Sequence, residues 1–129
     1  MNVINSAEKR KINQDRYSGE ALIETLRSAT SPKDPDVLRC HYEKGVVTNW
    51  HSHPGGQLLY VLSDSGVIGT EEDGEVTLSK GELVNVPPIE RHYHGSTHQN
   101  ESEFLVLTWG VTKWEDVSPR SNLAETKLS

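Results

Sequence analysis

From Val37 onward, short runs rich in Val, Leu, Tyr and Thr are cut at close intervals by glycine or proline. No feature of the chain constrains its fold more. VLRCHYEKG ends at Gly45, VVTNWHSH at Pro54-Gly55-Gly56, QLLYVLSDSG at Gly66, and VIGTEEDGEVTLSKG turns at Asp73-Gly74. ELVNVPP then stops at Pro87-Pro88, RHYHG stops at Gly95, and EFLVLTWGV is the most apolar run. Runs of strand length bounded by turn residues predict β-strands, and Asp-Gly between two of them predicts a hairpin. No helical stretch separates the runs, which argues against a parallel α/β sheet. The expectation is an all-β sandwich or barrel of six to ten strands.

The ends have a different texture. Residues 1–36 read as an N-terminal arm, polar and without a period through residue 16. A strand is expected at 17–26, although Ala21, Leu22, Glu24, Leu26 and Arg27 also favour a helix over 17–29. The barrel proper is expected over 37–117 and a tail over 118–129, with everything after Trp114 a short helix or a loose end. With 129 residues there is material for one domain. A hydrophobic fraction of 33% against 25% charged residues calls for a compact core. The net charge of −6 argues against nucleic acid and anionic membrane as partners, leaving a small-molecule ligand. The lone Cys40 has no partner for a disulfide within the chain, and no window is apolar enough to be a leader or a membrane span. A cytoplasmic location is therefore expected.

Four of the six histidines fall in two H-x-H pairs, His51/His53 and His92/His94. Residues two apart in a strand project to the same face, so each pair can converge on one point. Such pairs also occur as surface residues or hydrogen-bonded core imidazoles. Two of them in one small β-protein, with Gln57 opening the next strand, suit a site of three imidazoles and one oxygen donor on a divalent transition metal. His41 and His98 are expected to be solvated. Alternation alone puts Leu38, Cys40, Tyr42, Leu59 and Val61 on pocket walls, implying a small and largely apolar ligand.

Gly45-VVTNW-His51-Ser-His53-PGG-Gln57-LLYVLSDS-Gly66 resembles the first cupin motif, and Gly81-ELVNV-Pro87-PIER-His92 resembles the second. NWHSHPGGQLLYV and VPPIERHYHG are similar to small bacterial cupins of the carboxymuconolactone-decarboxylase-like group and to manganese-dependent cupin hydroxynitrile lyases. The resemblance implies a cupin β-barrel, a jelly-roll-like double-stranded β-helix, with His51, His53, Gln57 and His92 as the metal ligands. It also implies a homodimer and one divalent ion drawn from Mn, Fe, Ni, Co or Zn. Two positions depart from the general pattern. Gln57 stands where the general motif has glutamate, and Ile89 stands where the close relatives have glycine.

A neutral amide in place of a carboxylate leaves more positive charge on the metal, a stronger Lewis acid. That favours a metal-dependent enzyme acting on a small oxygenated molecule by lyase, isomerase or decarboxylase chemistry. An Fe(II)-dependent dioxygenase and a non-catalytic metabolite- or sugar-binding cupin are the alternatives. His94, beside the ligands, is the candidate catalytic acid/base, or else it orients His92. Ile89 cannot readily take φ > 0, so its turn is expected to be rearranged or never to have needed a left-handed residue.

Overall fold

A computed structural model describes residues 1–5, 8–12 and 15–120. The described residues form eleven strands and no helix: β1 Glu8–Ile12, β2 Ala21–Arg27, β3 Asp36–Tyr42, β4 His51–Ser52, β5 Gln57–Val61, β6 Ser65–Thr70, β7 Gly74–Ser79, β8 Leu83–Val86, β9 His92–Gly95, β10 Ser102–Thr108 and β11 Lys113–Trp114. They pair into a larger sheet, ordered β1-β2-β3-β10-β5-β8, and a smaller one, ordered β11-β4-β9-β6-β7. Every pairing is antiparallel. The two sheets close on one core built around Tyr42, Leu59, Val61, Ile68, Val86 and Phe104.

Strict alternation builds that core. In β5 Gln57, Leu59 and Val61 are buried while Tyr60 is exposed, and in β10 Ser102, Phe104, Val106 and Thr108 turn inward. Phe104 has no exposed surface. Burying such a ring contributes about 1.5–3 kcal/mol. Gly66 makes room for it, because a Cβ there would lie 2.6 Å from the Phe104 Cζ.

Residues 21–27 are a strand, not a helix. Ala21 pairs with Tyr42 and Ile23 with Cys40 along β3, with a bulge between Thr25 and Arg27. Pairing to an existing sheet edge outweighs the helical preference of Leu22, Glu24 and Leu26, which is a few tenths of a kcal/mol per residue. Beyond β2, β1 adds a further strand, from Glu8↔Thr25 to Ile12↔Ala21.

The chain after Trp114 is neither a helix nor loose as far as residue 120. Trp50 N–H donates to the Val117 carbonyl at 2.9 Å, and Glu115 N–H donates to that of Trp50 at 3.0 Å. The buried Arg120 guanidinium donates to the Ser96 carbonyl at 2.6 Å and to both Glu75 carboxylate oxygens at 2.9 and 2.8 Å. The rest of the tail lies outside the described residues.

Candidate metal centre

Strands β4 and β9 are neighbours, and His51 stands directly opposite His92. The two H-x-H segments therefore meet inside the barrel. Ring centroids are 4.3 Å apart for His51 and His92, 4.9 Å for His51 and His53, and 5.1 Å for His53 and His92. One nitrogen of each ring lies within 4.8 Å of those of the other two, close enough to share one ion. Gln57 reaches the triad from the opposite sheet, because the Pro54-Gly55-Gly56 turn does not set β5 beside β4 but carries the chain from the smaller sheet to the larger. Gly56 makes this turn at φ 88°, where a Cβ would press to 2.8 Å on the Val86 carbonyl oxygen.

The hydrogen bonds around the rings leave three nitrogens for a cation. His51 Nδ1–H donates to the Asn49 carbonyl at 2.8 Å and His92 Nδ1–H to the Glu90 carbonyl at 2.9 Å. Carbonyls only accept, so in both neutral rings Nε2 carries a lone pair. His53 Nδ1 is bonded to the Thr112 hydroxyl at 3.0 Å, and its Nε2 is buried with no hydrogen-bond partner. The Gln57 amide N–H donates to Thr108 Oγ1 at 2.9 Å, which turns Oε1 towards the His92 Nε2, 3.0 Å away. Two lone pairs facing at that distance are reconciled by a cation next to both. Outer hydrogen bonds that fix tautomer and orientation are what metal-binding imidazoles have. The residues present thus fit a divalent transition metal.

Electrostatics agree. Burial, reinforced for His51 and His53 by the neighbouring His92, pushes all three histidines of the triad below the ordinary value, His53 to about 4. They are neutral, as ligation requires. A second grouping, His41 with Glu43 and Glu101, has ligand atoms equally close. It is more exposed, and His41, expected to be solvated, shares a 2.7 Å hydrogen bond with Glu101 at the surface.

His94 lies beside the triad and outside it, its ring 5.5 Å from His51 and 6.0 Å from His92. Its Nε2 is 3.0 Å from the Tyr42 hydroxyl, and its Nδ1 is buried without a partner. Burial also lowers the His94 pKa well below the ordinary value and raises that of Tyr42 well above it, so both are neutral. In the same wall, burial pushes the Cys40 thiol up to about 12, which makes it a space-filling group rather than a nucleophile.

These side chains line a cavity of about 60 Å³. Leu38, Cys40 and Tyr42 belong to its wall, as their strand alternation implies. Leu59 and Val61 do not; both pack in the hydrophobic core instead. Counting alternation along β5 does not tell how far from the histidine triad a residue sits. Sequence reasoning missed Tyr17, Thr112 and Trp114, which the ends of the barrel bring to the wall. The signal was present, because a large aromatic isolated in a polar segment has to be buried against something.

Residues 38–108 match the model of the Cupin_2 family, described as a cupin domain, and the chain belongs to that family. Over 93 residues it is 30% identical to the (R)-mandelonitrile lyase of Granulicella tundricola, a match covering 72% of this chain and 71% of that protein. A cupin-like protein of Thermotoga maritima superposes with a TM-score of 0.80 at 25% identity, over 93% of this chain and 94% of that one. A predicted oxalate decarboxylase from the same organism, at TM-score 0.72 and 21% identity, covers 84% of this chain and 97% of its own and shares the fold.

Proposed function

We propose that the protein is a metal-dependent lyase of a small oxygenated molecule. In this reading His51, His53, His92 and Gln57 hold one divalent ion and His94 moves the proton. The observation that carries it is the set of imidazole nitrogens left bare by the Nδ1 hydrogen bonds and aimed at one point beside the Gln57 oxygen. Among lyase, isomerase and decarboxylase chemistries, the 30% identity to a mandelonitrile lyase favours the first. A divalent ion bound to neutral ligands supplies Lewis acidity to a hydroxyl, carbonyl or nitrile oxygen or nitrogen.

The chain's own residues do the rest. His94, neutral and held against Tyr42, accepts the hydroxyl proton of a 2-hydroxynitrile as the bond between the carbinol and nitrile carbons breaks. The bonding pair leaves with cyanide, the carbinol carbon becomes a carbonyl, and the proton on His94 passes to cyanide. In neutral His94, Nε2–H donates to the Tyr42 hydroxyl oxygen 3.0 Å away, which leaves the buried, unpartnered Nδ1 as the atom that takes the proton, and Nε2–H keeps its bond when the ring is charged. Leu38, Cys40 and Val106 keep bulk water off the reacting carbon.

The test joins elemental analysis of protein purified without added metal to assays of cyanide release from 2-hydroxynitriles, glycolonitrile through mandelonitrile. Metal-dependent release that chelation abolishes is expected. If the metal-loaded protein is no faster than the stripped protein on every substrate, the lyase reading fails. Oxygen consumption in its place would assign a dioxygenase.

A further inference from the structure

The cavity beside the triad is lined on one side by two aromatic residues that come from opposite ends of the chain. Tyr17, in the segment before β2, forms a single bridge with Thr48. Its ring lies 6.2 Å from that of Tyr42 and 5.8 Å from that of Trp114. Trp114, in β11, lies 4.6 Å from the His51 ring at an angle of 35°. The two rings stand side by side in the lining, which also includes Leu38 and Val106.

This wall is fastened. The buried Asn49 donates its backbone N–H to the Arg16 carbonyl at 2.7 Å, and its side-chain amide donates to the carbonyls of Asp15 at 2.5 Å and Glu115 at 3.0 Å. Ser18 N–H donates to the Val47 carbonyl, and Val47 N–H returns a bond to the Ser18 hydroxyl, both at 2.9 Å. The segments carrying Tyr17 and Trp114 are thus stapled on both sides of one residue. The Tyr17 hydroxyl makes no hydrogen bond among the described residues, so its ring is in the wall for its bulk.

We propose that Tyr17 and Trp114 are specificity-determining residues that restrict the metal site to short aliphatic hydroxy or carbonyl compounds and reject a phenyl ring. The inference rests on the metal-centre reading above. A protein cavity that takes up benzene has about 150 Å³. This one has about 60 Å³, part of which a bound ion would take up. Deleting the Tyr17 ring returns a ring-sized space. Shortening Leu38, Cys40 or Val106 in the same wall returns less.

Full-length protein loaded with Co(II) tests this through its visible absorption spectrum, with lactate as the short probe and mandelate as the phenyl-bearing one. The parent is expected to bind lactate and to bind mandelate at least about tenfold more weakly, the discrimination a close-fitting pocket gives. Tyr17→Ala should bring mandelate to within about twofold of lactate, while Tyr17→Phe keeps the parent's ratio. Tyr17→Leu carries the same comparison if Tyr17→Ala does not retain cobalt. Equal binding of both probes by the parent overturns the inference, as does an unchanged ratio in the alanine or leucine variant. A spectrum that responds to neither probe in any variant overturns the metal-centre reading and this inference together.

Discussion

His51, His53 and His92 each have Nδ1 tied to a neighbour, whereas His94 is tied at Nε2 to Tyr42. The two kinds of histidine should respond differently to truncation. His51→Ala or His92→Ala removes a donor from the triad, and metal content and turnover should fall together. His94→Ala should leave metal content unchanged and lower turnover by roughly a hundredfold, the size of effect a positioned proton-transfer group has. Elemental analysis beside turnover separates the outcomes, and loss of metal from His94→Ala would make His94 a ligand. Ile89 raises a different residue-scale question. Its φ is 65°, the one positive value at a non-glycine among the described residues. The turn that glycine suits is therefore kept, contrary to the expectation of a rearranged one, with Ile89 N–H donating to the His53 carbonyl at 2.8 Å. A β-branched residue is strained there, and the side chain is 77% exposed, so little packing is lost on removing it. Ile89→Gly should raise stability by about 1 kcal/mol, read as a higher Tm.

At the scale of elements, β9 depends on a close approach. A Cβ at Gly95 would collide with the Val46 carbonyl oxygen and stand 2.7 Å from the Val47 Cα. Neither atom belongs to a flexible side chain. Gly95→Ala should cost about 3 kcal/mol, the upper end for an overpacked interior, and a denaturant titration would show it. The end of β9 at Gly95 was legible in the sequence, and so were most strands, because period-two burial writes itself into the order of apolar and polar residues. The two H-x-H pairs were legible for the same reason. What the sequence left open was set by distant partners. Residues 21–27 became a strand because β3 offered an edge, and Pro54-Gly55-Gly56 changed sheets because Gln57 pairs with Val86 and Thr108 rather than beside His51. The cavity wall was least legible of all. Tyr17 and Trp114 meet only once the barrel is closed.

For the molecule as a whole, a cluster of neutral histidines ties metal-free stability to pH. His51, His53, His92 and His94 all have folded-state pKa values below the ordinary value near 6.5, about 4 for His53. Between those values the unfolded chain takes up protons that the folded chain does not, so stability rises with pH there. This contribution is fully present above about pH 6.5 and is lost as pH falls towards the folded-state values. Metal-stripped protein should show a Tm that declines steeply from about pH 6.5 to pH 4.5, beyond what its carboxylates cause in a variant with His53 and His94 replaced by glutamine and asparagine. A flat profile over that range would contradict neutral burial of the four rings.

Trp114 lies against a proposed ligand, His51, whereas Trp50 packs on Tyr93 and Arg91 and Trp109 donates to the Lys33 carbonyl. The wall that narrows the cavity is therefore also a lamp set beside the candidate metal site. An ion with a partly filled d shell drains the excited state of an indole at this distance, whereas a filled shell does not. Loading Mn, Fe, Co or Ni should dim the emission attributable to Trp114, and loading Zn should leave it bright, with Trp114→Phe removing the difference. The protein then reports by its own light, without a label, that an ion with a partly filled d shell has entered the site.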